Sequence, residues 1–396
     1  MSKNFKELLF LHFLNDGTRT SFVVLLPFIA KDLSLNFTSV GFLGSSQPLL
    51  AAILALPAGF ITARIGGFRL LTILLITYSI AALAAGLSIS IFFLLPAFLL
   101  GALGFGMFHT VGFALVAGNS DKSNMGRNMG NFTSLGEIGR VALPPLAIFT
   151  TASFGWRPTM VILAVIGFSS YLFFRSTLSN QERLPKQTST IENYREFLKN
   201  TLFLLQSKKL RLVTLAGLLD AFASNPLYLF LPFLLLLKGV TASQLGGLMA
   251  AFFAGSLAGK FLLGRGIDKF GTAKIFILSE LSMAGLLVGI TLTGKFLLLL
   301  FLLAFLLGIF TKGTSPVMQA MFSTTAANHH YHRIYAVSTL FLASAELVAI
   351  MSMGPAADIL GINVVFYLCA VFAVLAVIPV LALKKTTLAT AAKVRE

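Results

Sequence analysis

Leu26-Pro27-Phe28 recurs as Leu231-Pro232-Phe233, 205 residues further on. At the same offset Gly41 meets Gly246, Gly59 meets Gly264, Arg64 meets Lys269 and Gly66 meets Gly271. Asp16 falls one position from register with Asp220, and Arg127 and Thr133 correspond to Arg333 and Thr339 at an offset of 206. Chance supplies one such match but not an ordered series. The chain therefore reads as two like halves laid out in the same direction.

Each half is too apolar for water. Of the 396 residues 57% are hydrophobic and 11% charged, against about 25% charged in a soluble domain. Apolar runs recur that are long enough to cross a hydrocarbon core roughly 30 Å thick. They are continuous rather than alternating, which predicts helices and not a barrel. The pattern predicts twelve spans, the first at 6–30 and the last at 362–384. The domains expected are an N-terminal six-helix bundle over 1–178, a polar linker over 179–209 and a C-terminal six-helix bundle over 210–396. In the linker, Ile191, Tyr194, Leu198, Leu202 and Leu205 have the spacing of an amphipathic helix on the membrane surface. Parallel repeats of this kind build secondary transporters whose substrate site lies between the halves.

The formal net charge of +16 invites a nucleic-acid reading, which the placement of the basic residues excludes. Most lie on one set of alternating loops and chain ends. Lys31, Arg157, Lys238 and Lys295 fall on the opposite set, and Arg19, Arg140, Lys260 and Lys312 lie within predicted helices. That asymmetry predicts a multi-pass inner-membrane protein with both termini in the cytoplasm. Met1 to Phe13 reads as the start of the first helix, since Asp16 and Arg19 interrupt it and no cleavage site follows. The single Cys369 reads as a small buried hydrophobe.

Gly59-Phe60-Ile61-Thr62-Ala63-Arg64-Ile65-Gly66 resembles the loop signature of the major facilitator superfamily. Its repeat, Gly264-Arg265-Gly266-Ile267-Asp268-Lys269-Phe270-Gly271, fits better and keeps the acidic residue that Ala63 replaces in the first copy. The resemblance implies an all-α integral membrane fold of two pseudo-symmetric bundles. It implies gating roles for Gly59, Arg64, Gly66, Gly264, Asp268, Lys269 and Gly271, with Asp268 latching one face shut against a helix N-terminus. It also implies that the helices at 6–30, 91–117, 210–237 and 296–325 line a central cavity. A narrower resemblance, to fosmidomycin-resistance-type exporters, rests on His12-Phe13-Leu14-Asn15-Asp16, on Gly106-Met107-Phe108-His109, and on Gly136 with Gly139 and Pro144. Thr110 and Val111 stand where that family often has Pro and Glu.

Asp16, Arg19, Glu137, Arg140, Asp220, Lys312 and Glu346 sit well inside predicted helices. Each costs roughly 2.5–3.5 kcal/mol at the centre of an isolated inserted helix, so they must pair or line a wet cavity. Helical spacing puts His12, Asp16 and Arg19 on one face, and Glu137 with Arg140 on another. The duller reading of Asp16 with Arg19 is a structural ion pair; Lys312 and Glu346 could pair with each other, and His109 could be a core histidine. Glu280 is expected to reach the cytoplasmic interface or a loop cation. His329, His330 and His332 read as a solvated loop rather than a metal site.

These features predict a secondary active transporter, acting as a monomer, that exports a small amphiphilic or anionic organic compound against protons. Asp16 is the first candidate carrier, followed by Asp220 and Glu137, with His12, His109 and Glu346 beside them. Arg19, Arg140 and Lys312, with Asn15, are candidate substrate anchors. No phosphate-binding loop appears, so neither ATP nor another cofactor is expected, and no catalytic or metal residues are assigned. Proton-driven uptake shares all these features; a lipid flippase or membrane-embedded enzyme is the reading from another class.

Overall fold

Backbone in hydrocarbon must satisfy its own polar groups, and the helix is the form these sequences take. A computed structural model describes residues 3–118, 125–179, 206–323, 325 and 331–393, and all of its regular structure is helical. The helices are α1 (Lys3–Val24), α2 (Leu26–Asp32), α3 (Phe37–Ile65), α4 (Gly67–Leu87), α5 (Ile91–Gly106), α6 (Phe108–Gly118), α7 (Met125–Phe154) and α8 (Trp156–Ser179). They continue as α9 (Lys208–Ser224), α10 (Pro226–Leu237), α11 (Ala242–Phe270), α12 (Thr272–Leu292), α13 (Leu297–Lys312), α14 (Ser315–Ser323), α15 (Tyr331–Leu360) and α16 (Asn363–Lys393). Contacts divide the chain into two compact units: Met1–Thr188 with Val240–Ala250, and Ser189–Gly239 with Ala251–Glu396. Nearly all of the expected linker, including its amphipathic stretch, lies outside the described residues.

Ten stretches of the described residues are long and apolar enough to cross a membrane, two fewer than the sequence pattern predicts. The remaining helical stretches are α1 with α2, and α7. These carry His12, Asp16 and Arg19, and Glu137 with Arg140, whose polarity depresses their mean hydropathy.

The repeat governs helix length as well as sequence. α3 and α11 each have 29 residues, α4 and α12 each have 21, α5 and α13 each have 16, and α7 and α15 each have 30. Gly66 and Gly271 precede α4 and α12 with φ of 87° and 81°, and Gly155 and Gly361 precede α8 and α16 with φ of 87° and 82°. Such a turn needs a residue without Cβ.

Four of the expected spans are each built from two helices: α1/α2, α5/α6, α9/α10 and α13/α14. These are the first, fourth, seventh and tenth, every third span in the chain. Pro27, Pro226 and Pro316 fall just after three of the breaks, where a residue lacking N–H cannot continue the hydrogen-bond ladder. At the third break Pro226 leaves the Phe222 carbonyl without its usual donor, and the buried Cys369 thiol lies 3.5 Å from that oxygen.

Candidate functional site

α1 and α7 pack through glycine. A Cβ on Gly17 would lie 2.8 Å from the Gly139 carbonyl, and one on Gly139 would run into the Phe13 carbonyl. This close approach brings the polar faces of the two helices together. Gly136 opens the space directly over them: a Cβ there would lie 2.9 Å from Asp16 Oδ2.

Into that space project Asp16 and its partners, from three spans. Arg140 Nη2 lies 2.8 Å from Asp16 Oδ2, and Arg140 Nη1 donates to Glu137 Oε1 at 2.6 Å. Asn15 Nδ2 donates to Asp16 Oδ1 at 3.1 Å. His109 Nε2, two residues beyond the break at Met107, is 3.2 Å from the same oxygen, and His12 Nε2 is 3.3 Å from Oδ2. His12 Nδ1 lies 2.7 Å from the Phe132 carbonyl, and the His12 ring stacks on Phe132 with centroids 4.0 Å apart. A carbonyl only accepts, so Nδ1 carries a proton and Nε2 is the nitrogen left facing Asp16 and His109. His12, Asp16 and Glu137 are all buried, with His109 and Arg140 half-buried.

Arg19 is not the partner of Asp16. It turns away along α1 and donates from Nε to Gln47 Oε1 at 3.0 Å, while Gln47 Nε2 donates to the Arg19 carbonyl at 3.2 Å. The cation that Asp16 meets comes instead from a helix more than a hundred residues away in sequence. Gln47 carried no signal beyond its place in an apolar span.

His12, Asp16 and His109 bring three possible ligand atoms within 4.8 Å of one another. The Arg140 guanidinium already occupies Asp16 Oδ2, and a metal ion bound there would meet that charge at close range. The donor set suits protons better. His329 and His330 lie outside the described residues.

In the second unit Lys312, the last residue of α13, donates to Asn225 Oδ1 at the α9/α10 break. Its Nζ stands 4.9 Å from the Tyr228 ring centroid. Lys312 is thus engaged by Asn225 and Tyr228, while Glu346 is half-buried on α15. Asp220 lies within the field of Lys312 and directly faces Glu280. Glu280 is 0% exposed, so it reaches neither the membrane interface nor a loop; α12 buries it against its neighbours.

Of the gating residues, Gly66 and Gly271 take the turns described above. Gly264 has nothing within 4 Å of a Cβ position, Asp268 is exposed near the end of α11, and Lys269 Nζ lies 5.2 Å from the Phe270 ring centroid. The side chains at positions 59, 63 and 64 lie outside the described residues.

The model of the Major Facilitator Superfamily matches residues 8–216 and then residues 213–395, one match for each half. The chain belongs to this superfamily. It is a multi-pass membrane transporter and not an enzyme. The putative niacin/nicotinamide transporter NiaP of Bacillus subtilis (strain 168) is 24% identical to this transporter over 271 residues, which is 66% of each chain and just short of two-thirds of the relative. A bacterial homologue of the human lysosomal transporter Spinster, inward-facing and occupied, superposes with a TM-score of 0.74 at 18% identity over 98% of both chains. A mutant of the nucleoside transporter NupG superposes with a TM-score of 0.79 at 12% identity, over 96% of this chain and 99% of its own. At those identities the likeness is one of fold.

Proposed function

We propose that this transporter exports a small amphiphilic or anionic organic compound in exchange for protons, working by alternating access as a monomer in the bacterial inner membrane. The observation that carries this reading is the fixed ring of His12. With Nδ1 held by the Phe132 carbonyl, Nε2 faces Asp16 Oδ2 at 3.3 Å and His109 Nε2 at 3.2 Å. Protonated, Nε2 donates to Asp16; bare, it accepts from His109. Either state is fully bonded, so a proton enters or leaves without stranding a buried group. Arg140 balances the charge that remains on Asp16 and Glu137.

Arg19 and Arg140 are cations suited to an anionic group on the substrate. The match to a putative niacin/nicotinamide transporter supports a small organic cargo, and the His12–Asp16, Gly106–His109 and Gly136–Gly139 motifs support the fosmidomycin-type exporter subgroup. Proteoliposomes loaded with niacin or fosmidomycin and given an imposed pH gradient test both cargo and direction. Asp16→Asn keeps a hydrogen-bonding side chain of the same size but removes the carboxylate charge, and we expect exchange of internal for external compound to persist while gradient-driven accumulation is lost. Full gradient-driven transport in Asp16→Asn would remove the relay from the mechanism. Movement in the same direction as protons would make the protein an uptake symporter.

A further inference from the structure

Glu280 lies ~12 Å along α12 from its N-terminus, at 1.5 Å per residue, within a membrane-crossing run. It is 0% exposed, and neither of its carboxyl oxygens meets a hydrogen-bond donor among the described residues. The polar group facing it is a second carboxyl, Asp220 of α9, whose Oδ1 is buried and equally without a donor. Two ionised carboxylates side by side would repel strongly where the dielectric constant is low. They would also leave three acceptor oxygens unbonded. One proton relieves both defects, because it cancels one charge and supplies an O–H donor that joins two of the three oxygens.

The cation that acts on the pair is a single ammonium, enough to balance one carboxylate. Lys312 is the ammonium whose field reaches Asp220. α13 offers no other ionisable residue, and α14 offers none. From α16 comes the Cys369 thiol, which sits against the Phe222 carbonyl. The basic residues of α9 are Lys208, Lys209 and Arg211, all in its first turn.

We propose that Glu280 and Asp220 bind a single proton between them, a second proton site with Lys312 as its counter-charge. The site's use in transport rests on the proton-coupled reading above, but its existence does not.

Infrared spectroscopy of the purified full-length protein at neutral pH reads the proton directly through the carbonyl band of a protonated carboxylic acid. We expect that band in the wild type, lost in Glu280→Gln, shifted in Asp220→Asn and unchanged in Asp16→Asn. Glutamine is the neutral isostere of the protonated acid, so Glu280→Gln should keep its melting temperature. Lys312→Met removes the counter-charge, draws in a second proton and enlarges the band roughly twofold. A wild type without the band, a band indifferent to Glu280→Gln, or a band abolished by sodium ions at constant pH would overturn the proposal. If the band behaves as stated while proteoliposomes move no protons with niacin or fosmidomycin, the site stands and the coupled-transport reading falls.

Discussion

Ser34 has φ of 52°, alone among the described non-glycine residues in the left-handed region. Its counterpart in the repeat is Gly239, with φ of 81°. A side chain in that region costs roughly 1–2 kcal/mol, and the extra freedom of an unfolded glycine returns about 0.5–1 kcal/mol of it. Ser34→Gly should therefore leave stability unchanged or raise it by up to about 1.5 kcal/mol in thermal unfolding. Nearby, Arg157 Nη1 meets Asp32 Oδ2 at 2.5 Å, Trp156 donates to the same oxygen at 3.2 Å, and Arg157 Nε donates to the Ser88 carbonyl at 3.1 Å. These bonds give Arg157 a structural reason to lie outside the main basic set. The hydrogen bond from Arg157 holds the Asp32 carboxyl below its ordinary value. The clasp therefore contributes above the unfolded value near 3.9 and is lost as pH falls through the lower folded one. Asp32→Asn should lower the melting temperature at pH 7 and make no difference in strong acid, with an effect within about 1 kcal/mol because the pair is exposed. Residue identities were legible here and partners were not. Arg19 looked like the mate of Asp16 because helical spacing is visible in a sequence; Arg140 is brought to Asp16 by packing, which is not.

At the scale of elements, long apolar runs told where helices lie, and proline marked three of the four breaks. The break at Met107 carried no such mark, yet it sets where His109 enters the cluster. Glycines in α7 looked alike in sequence but differ in what surrounds them. A methyl group at Gly136 meets His12 and Asp16, and overpacking of this kind costs about 1–3 kcal/mol. Gly136→Ala should thus lose transport and stability together. Gly285 of α12 is exposed with nothing within 4 Å of a Cβ position, and Gly285→Ala should keep transport and gain up to about 1 kcal/mol from helix propensity. Equal melting temperatures for wild type and Gly136→Ala would contradict the packing of α1 on α7. Glu280 was misread for a related reason: a lone acid in an apolar span shows no sign of the acid on another helix that it will face.

For the molecule as a whole, the distribution of basic residues predicts that tags at residue 2, between residues 185 and 190, and at the C-terminus all report the cytoplasm. One periplasmic result would break the arrangement of six spans followed by six. The two halves differ in their charges but match in helix length at α3/α11, α4/α12, α5/α13 and α7/α15, and the offset between these pairs changes from 205 to 206 only between α4 and α5. There the first half spends three residues, Ser88 to Ser90, and the second spends four, Thr293 to Phe296. An added residue inside a helix would shift everything beyond it by 1.5 Å and turn it by about 100°, swinging His109 or Glu280 off its face, whereas one in a loop costs little closure entropy. These short turns are accordingly where the chain accepts an inserted epitope or fluorophore, and the helices between them behave as parts of fixed gauge.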